Sequence, residues 1–127
     1  MAEAKKYEIT VTVEAHYVED QSDPEEARFI FAYTVTIQNT GTVPAQLISR
    51  HWIIRDAHNA EQQVRGLGVI GQQPLLKAGE KFENTSGCAL NTPVGTMRGS
   101  YQMVAEDGTQ FEAVIPEFTL AMPRVLH

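Results

Sequence analysis

At 127 residues with 43% hydrophobic side chains, the chain has the size of one domain, residues 1–127, able to bury roughly two-thirds of the surface its unfolded form exposes. Its one cysteine, Cys88, excludes an internal disulfide framework, and no stretch approaches the roughly 18 apolar residues that span a bilayer, so membrane insertion is not expected. The formal net charge is −6, and Glu3, Glu8, Glu14, Glu19, Asp20, Asp23, Glu25 and Glu26 make half of the 16 acids fall within the first 26 residues, a field that disfavours a dedicated nucleic-acid binder.

The opening Met1-Ala2-Glu3-Ala4-Lys5-Lys6 has no apolar signal core and leads straight into a strand, so a cytoplasmic location is expected. In that strand Tyr7, Ile9, Val11, Val13, Ala15 and Tyr17 alternate with Glu8, Thr10, Thr12, Glu14 and His16. A period of two gives one buried and one wet face. Gln21 to Glu26, with Ser, Asp, Pro and Glu, is loop chemistry. A second strand follows from Arg28 to Asn39, with Phe29, Phe31, Tyr33, Val35 and Ile37 on one face, and Asn39-Thr40-Gly41 marks its turn. A third runs from Ala45 to Asp56, and beyond the polar turn Ala57-His58-Asn59 a shorter one runs from Glu61 to Arg65.

After a glycine-rich loop, Lys81 to Thr85 and Met97 to Ala105 read as strands. Asp107-Gly108 is a two-residue hairpin signal leading into Gln110 to Ile115. Pro116 interrupts that run, so Phe118 to Ala121 is either an edge strand or a kinked continuation. About seven or eight strands at turn spacings of roughly ten residues, with no apolar periodicity of three and four, predict an all-β, antiparallel β-sandwich. Its expected interior holds Val11, Val13, Phe31, Tyr33, Trp52, Met97 and Tyr101.

The glycine loop, Val64-Arg65-Gly66-Leu67-Gly68-Val69-Ile70-Gly71-Gln72-Gln73-Pro74, contains G-x-G-x-x-G. In a dinucleotide-binding unit that pattern sits between a strand and a helix, with an acid about 20 residues further on. No helical spacing follows Pro74, so the glycines belong to another fold. Three readings are open. The amides of Gly66, Gly68 and Gly71 could form an anion-binding concavity with Arg65 as charged partner. The glycines could instead serve positive φ angles and a close backbone crossing. Third, the loop could dock a partner, with Val69, Ile70, Pro74 and Leu75 as apolar anchors flanked by Arg65 and Lys77.

Within the third strand Trp52 shares its parity with Ile48, Arg50 and Ile54 and is placed in the core, leaving His51 with Ser49, Ile53 and Arg55 on the more polar side. Ser49 and His51 are neighbours on one face without a third member, so no catalytic residues are assigned. Asp56-Ala57-His58 and the acids of Glu19 to Glu26 lack the ordered spacing of a metal site, and no metal ligands are assigned either. No cofactor is expected. Cys88, between Gly87 and Ala89, reads as a small, partly buried packing residue.

Nearly the whole chain resembles the ApaG family of small bacterial proteins, whose domain also occurs in some eukaryotic F-box and polymerase-interacting proteins. The residues that carry the resemblance are Tyr17, Gln21-Ser22-x-Pro24, Phe31-Ala32-Tyr33, Asn39, Gln46-Leu47-Ile48-Ser49-Arg50-His51-Trp52, the glycine loop, Ser86-Gly87-x-x-Leu90, Thr92-Pro93-x-Gly95-x-Met97-x-Gly99-x-Tyr101-x-Met103 and Ile115-Pro116-x-Phe118. Gln72 stands where the family usually has Glu, Ala78 where Pro is common and Asn84 where an aromatic is frequent. The resemblance implies a fibronectin type III-like (immunoglobulin-like) sandwich and an indirect link to Co2+/Mg2+ efflux, without an established activity. The expected function is therefore a non-enzymatic binding module acting through a protein partner, as a monomer or weak homodimer. The alternative is a phosphate or nucleotide binder using Gly66 to Gly71, which the family's usual neighbour, a diadenosine tetraphosphate hydrolase, favours slightly.

Overall fold

Alternating side chains set the strands of the structure, a computed structural model that describes residues 5–123. In chain order these are β1 (Ile9–Tyr17), β2 (Phe29–Asn39), β3 (Ala45–Asp56), β4 (Glu61–Leu67), β5 (Leu75–Leu76), β6 (Lys81–Leu90), β7 (Val94–Ala105) and β8 (Gln110–Ala121). Two single 3₁₀ turns, Glu19–Gln21 and Pro24–Glu26, fill the acidic loop, and the described residues contain no α-helix. All pairings are antiparallel. One sheet has the order β1-β2-β6 and the other β4-β3-β7-β8, with β5 pairing to β3 beside the end of β4.

The sheets pack face to face. Phe31, Tyr33, Val35 and Ile37 of β2 meet Leu47, Trp52, Met97, Tyr101, Met103, Ile115 and Leu120 of the larger sheet in one buried cluster. Of the expected interior, Val13 is the exception. It packs against the cluster but is only half-buried, next to the stretch of β1 where Glu14, Ala15 and His16 are all exposed.

Two irregularities redirect the pattern. In β3 the partner of Leu47 is Met103 and that of Ser49 is Gln102, so Ile48 is an extra residue. A bulge of this kind shifts the parity of the strand. Ala45 and Leu47 point inward before it, and Trp52 after it. Ile48, expected beside Trp52, instead lies in a shallow groove with Gln102, Val104, Gln110 and Glu112. In β8 the partners step from Phe118 to Ile115 while β7 moves from Met97 to Gly99, so Pro116 and Glu117 oppose Arg98 alone. Pro116 thus sits in a bulge of an edge strand, the setting that tolerates a missing N–H, and β8 is the continuous form of the two alternatives.

Other differences are local. β6 runs five residues past Thr85 because β2 pairs with it as far as Leu90. The β7–β8 connection is longer than a two-residue turn: Gly108 (φ 87) lies in the left-handed region and donates its amide to the Ala105 carbonyl at 2.9 Å, while the Ala105 amide donates to the Thr109 carbonyl at 2.8 Å. Asn39, one of the few buried polar residues, donates Nδ2 to the carbonyls of Val43 and Leu76 (2.9 Å each) and accepts the Gly41 amide at 2.9 Å. It thereby ties β5 to the end of β2. On one side of the sandwich β1 lies against β8. On the other, β4 and β6 flank a cleft.

Candidate functional site

The cleft and the glycine segment are built from the same few residues. β4 extends to Leu67, so Arg65 and Gly66 are strand residues in register with His51 and Arg50 of β3. Gly68 (φ 61) then turns the chain, and its amide donates to the Ile48 carbonyl at 2.8 Å. Val69 and Gln72 exchange two backbone hydrogen bonds of 2.7 and 3.0 Å around Ile70 (φ 46) and Gly71 (φ 71). Positive φ at both central residues is the signature of a type I′ turn. Gln73 then donates its side-chain amide to Ile48, and Pro74 accepts the Leu47 amide, which fastens the segment over the β3 bulge.

Each glycine has a geometric cause. A Cβ on Gly68 would lie 2.2 Å from the Gln72 carbonyl oxygen, and one on Gly66 would lie 2.7 Å from the Arg50 guanidinium. Gly71 has open space around it but needs its positive φ. Of the amides expected to cradle phosphate, one is already engaged. That of Gly68 is used by Ile48, while the carbonyls of Leu67 and Gly68 both accept from Arg50 Nη1 at 3.0 Å. The segment presents acceptors to a cation. Arg65, in register with His51, lies on the opposite face of the sheet from Arg50.

The expected docking residues also separate. Val69 is 3% exposed and belongs to the core, so it is withdrawn as an anchor, and Leu76 is likewise buried. Pro74 is half-buried. Ile70 at 65% and Leu75 at 58% stand out in solvent, and so does Leu67 at 74%. Leu67 opposes Ser49, and Leu75 opposes Gln46, so these two leucines share one face at the β3 edge. Leu67 is not among the expected anchors, since a strand ending at Arg65 hides its place on the sheet edge, whereas β4 reaches it.

Inside the cleft, which measures about 480 Å³, Arg50 stands on the inner face of β3 between Tyr101 of β7 and Gly66 of β4. Tyr33 and Trp52 form the aromatic floor. Across from them β6 points Asn84, Ser86 and Cys88 inward between Phe82 and Leu90. Three small residues where the ends of the strand carry large ones leave the gap. Burial raises the Tyr33 hydroxyl above its usual range, with Cys88 adding to the effect and Ser86 and Arg50 opposing it. Burial also pushes the Cys88 thiol up. A raised thiol pKa means less thiolate at pH 7, the opposite of an activated nucleophile. Iodoacetamide should therefore modify Cys88 at least about tenfold more slowly in the native protein than in urea-unfolded protein. Alkylation at the unfolded rate would show the thiol to be open.

Other candidate groups are spoken for. Ser49 donates to Gln102 Oε1 at 2.7 Å and His51 Nε2 pairs with Gln63 Oε1 at 2.9 Å, so the two do not meet. Asp56 Oδ1 accepts the amides of His58 and Ala60 and closes its own turn. Among the described residues no three His, Cys, Asp or Glu side chains are grouped as metal ligands, and no helix is long and apolar enough to cross a membrane.

The model of the ApaG domain matches residues 19–105. Protein ApaG of Thiobacillus denitrificans is 66% identical over 127 residues, covering 100% of each chain. The chain belongs to the ApaG family. Protein ApaG of Bordetella pertussis is 62% identical over 123 residues, 97% of this chain and 94% of that one. A crystal structure of the putative ApaA protein from Bordetella pertussis superposes with a TM-score of 0.94 at 60% identity, over 97% of this chain and 100% of that one. The all-β sandwich is thus the ApaG fold, and the strap of glycines over the β3 bulge is part of an ApaG domain, within the residues matched.

Proposed function

We propose that the chain is a non-enzymatic binding module that captures a protein partner through the rim of Leu67, Ile70 and Leu75. The observation that carries this reading is Ile70. A β-branched residue at φ 46 is a steric outlier in a turn that favours Asn or Gly, and its side chain is 65% exposed. Folding gives no reason for isoleucine at that position, and docking an apolar partner surface does. Strain retained at an exposed residue is the kind that marks a functional position. On this reading the module works in the cytoplasm, and the cobalt and magnesium link that the resemblance implies runs through the partner.

The two roles separate in Ile70→Asn, which suits the turn. It should raise stability by about 1 kcal/mol by relieving a left-handed β-branched residue. It should also abolish capture of whichever lysate protein the wild-type chain reproducibly retains. Ile70→Asp should lose capture with little change in melting temperature. Retention of the same protein by both variants would remove Ile70 from the interface and the proposal with it.

A further inference from the structure

We propose that the cleft between β4 and β6 is a binding site for a small organic anion, a carboxylate or phosphate ester on an apolar body, with Arg50 as the cationic anchor. The cleft meets the rim at Ile70, which lines its mouth, but its anchor, Arg50, lies outside the rim, and its test does not involve the protein partner.

The starting observation is an arginine on the core side of a sheet. Arg50 has the same parity as Trp52, with Tyr101 and Gly66 as its cross-strand neighbours. A charge turned toward an interior is disfavoured unless it is paired. The ion pairs among the described residues are Lys5–Glu8, Lys6–Asp107 and Arg55–Glu61, and none involves Arg50. The residues lining the cleft include neither Asp nor Glu. Arg50 uses Nη1 for the carbonyls of Leu67 and Gly68. A guanidinium has five N–H donors in a planar fork, so two neutral acceptors on one nitrogen leave capacity for an oxyanion.

The surroundings complete the chemistry. Tyr33, Trp52 and Met97 give an apolar wall, and Asn84 and Ser86 face it with neutral hydrogen-bonding groups. A site that is mostly apolar, with one charge and a few polar groups, selects an anion carried on an apolar body over a bare ion. The volume of about 480 Å³ lies within the range that encloses small organic ligands. Without a ligand Arg50 is merely a clamp on the glycine segment, and the cleft would then be indifferent to charge.

Trp52 is the chain's one tryptophan and Cys88 its one cysteine, and both line the cleft, so occupancy has two intrinsic reporters. Phenyl phosphate and benzoate are the probes, with benzyl alcohol as the neutral isostere and inorganic phosphate as the bare anion. Both organic anions should change Trp52 emission saturably at millimolar concentration and slow alkylation of Cys88 by iodoacetamide, and the two controls should do neither. Arg50→Lys keeps the charge but loses the fork, and should weaken binding at least about tenfold. Ser86→Leu fills the cleft from β6 without altering Arg50's two backbone contacts, and should abolish it. An equal response to benzyl alcohol, unchanged affinity in Arg50→Lys, or no saturable response to either organic anion would each overturn the proposal. The relative affinities for phenyl phosphate and benzoate then assign the natural oxyanion.

Discussion

Trp52→Ala should lower stability by roughly 3–5 kcal/mol, the range for removing a large aromatic side chain from a core. The indole is 5% exposed. It meets Tyr33, Phe118 and Tyr101 edge-on, with centroids 5.4, 6.0 and 6.5 Å away, and such pairs add about 0.5–1.5 kcal/mol each beyond the area they bury. Because Trp52 also borders the cleft, part of the space it leaves would open to water, which places the expected value toward the lower end. Urea unfolding followed by far-UV circular dichroism measures it, since the fluorescent probe itself is removed. A loss below about 1 kcal/mol would mean that the indole is not a core group and that β3 presents its other face.

That face is legible from Ile54 at the parity of Trp52 and from the polar Ser49, His51 and Arg55 at the other. The alternation in β1, β2 and β3 places those strands to within about two residues at each end, as expected where one face is buried and the other wet. What the pattern could not show was the bulge at Ile48. An extra residue is a feature of pairing, set by how β7 lies alongside β3, and it leaves no mark in composition. The far half of β6 was missed for a related reason. Gly87, Cys88 and Ala89 have weak strand preference, and the ladder with β2 overrides it. Two residues of β5 are too few to carry a period at all.

The site was less legible than the fold. G-x-G-x-x-G announced that the backbone needed glycine, and the structure supplies a separate cause for each: the Arg50 side chain, the Gln72 carbonyl and a positive φ. The same letters would serve an anion loop, and only the direction of the carbonyls distinguishes the two. The cleft had a signal that composition hides and parity reveals. Phe82, Asn84, Ser86, Cys88 and Leu90 are the inward residues of β6, and polar side chains at core parity mark an incompletely filled interior. Arg50 at the parity of Trp52 is the matching signal on β3. Each alone is a modest irregularity, and their meeting across the sandwich needs the sheet order β1-β2-β6 against β4-β3-β7-β8.

Gly99→Ala is expected to destabilise by about 3 kcal/mol or more, a large effect for one methyl group. Gly99 lies in β7 in register with Trp52 of β3 and Ile115 of β8, beside the Pro116 bulge. Its Cβ would sit 2.0 Å from the His51 carbonyl oxygen and 3.2 Å from the Trp52 Cα. Both obstacles are backbone, so no side-chain rotation relieves them. β3 and β7 would have to part at the centre of the larger sheet, where their hydrogen bonds hold the indole in place. Gly71→Asn is the control. Gly71 has a φ of 71 with nothing within 4 Å of a Cβ, and Asn tolerates the left-handed region, so that variant should stay within about 1 kcal/mol of wild type. Urea midpoints of the two variants, with the m-value checked for constancy, give the comparison directly. Gly99→Ala as stable as Gly71→Asn would show that the two strands can separate at Trp52 without penalty, and the close approach would then not be what requires glycine there.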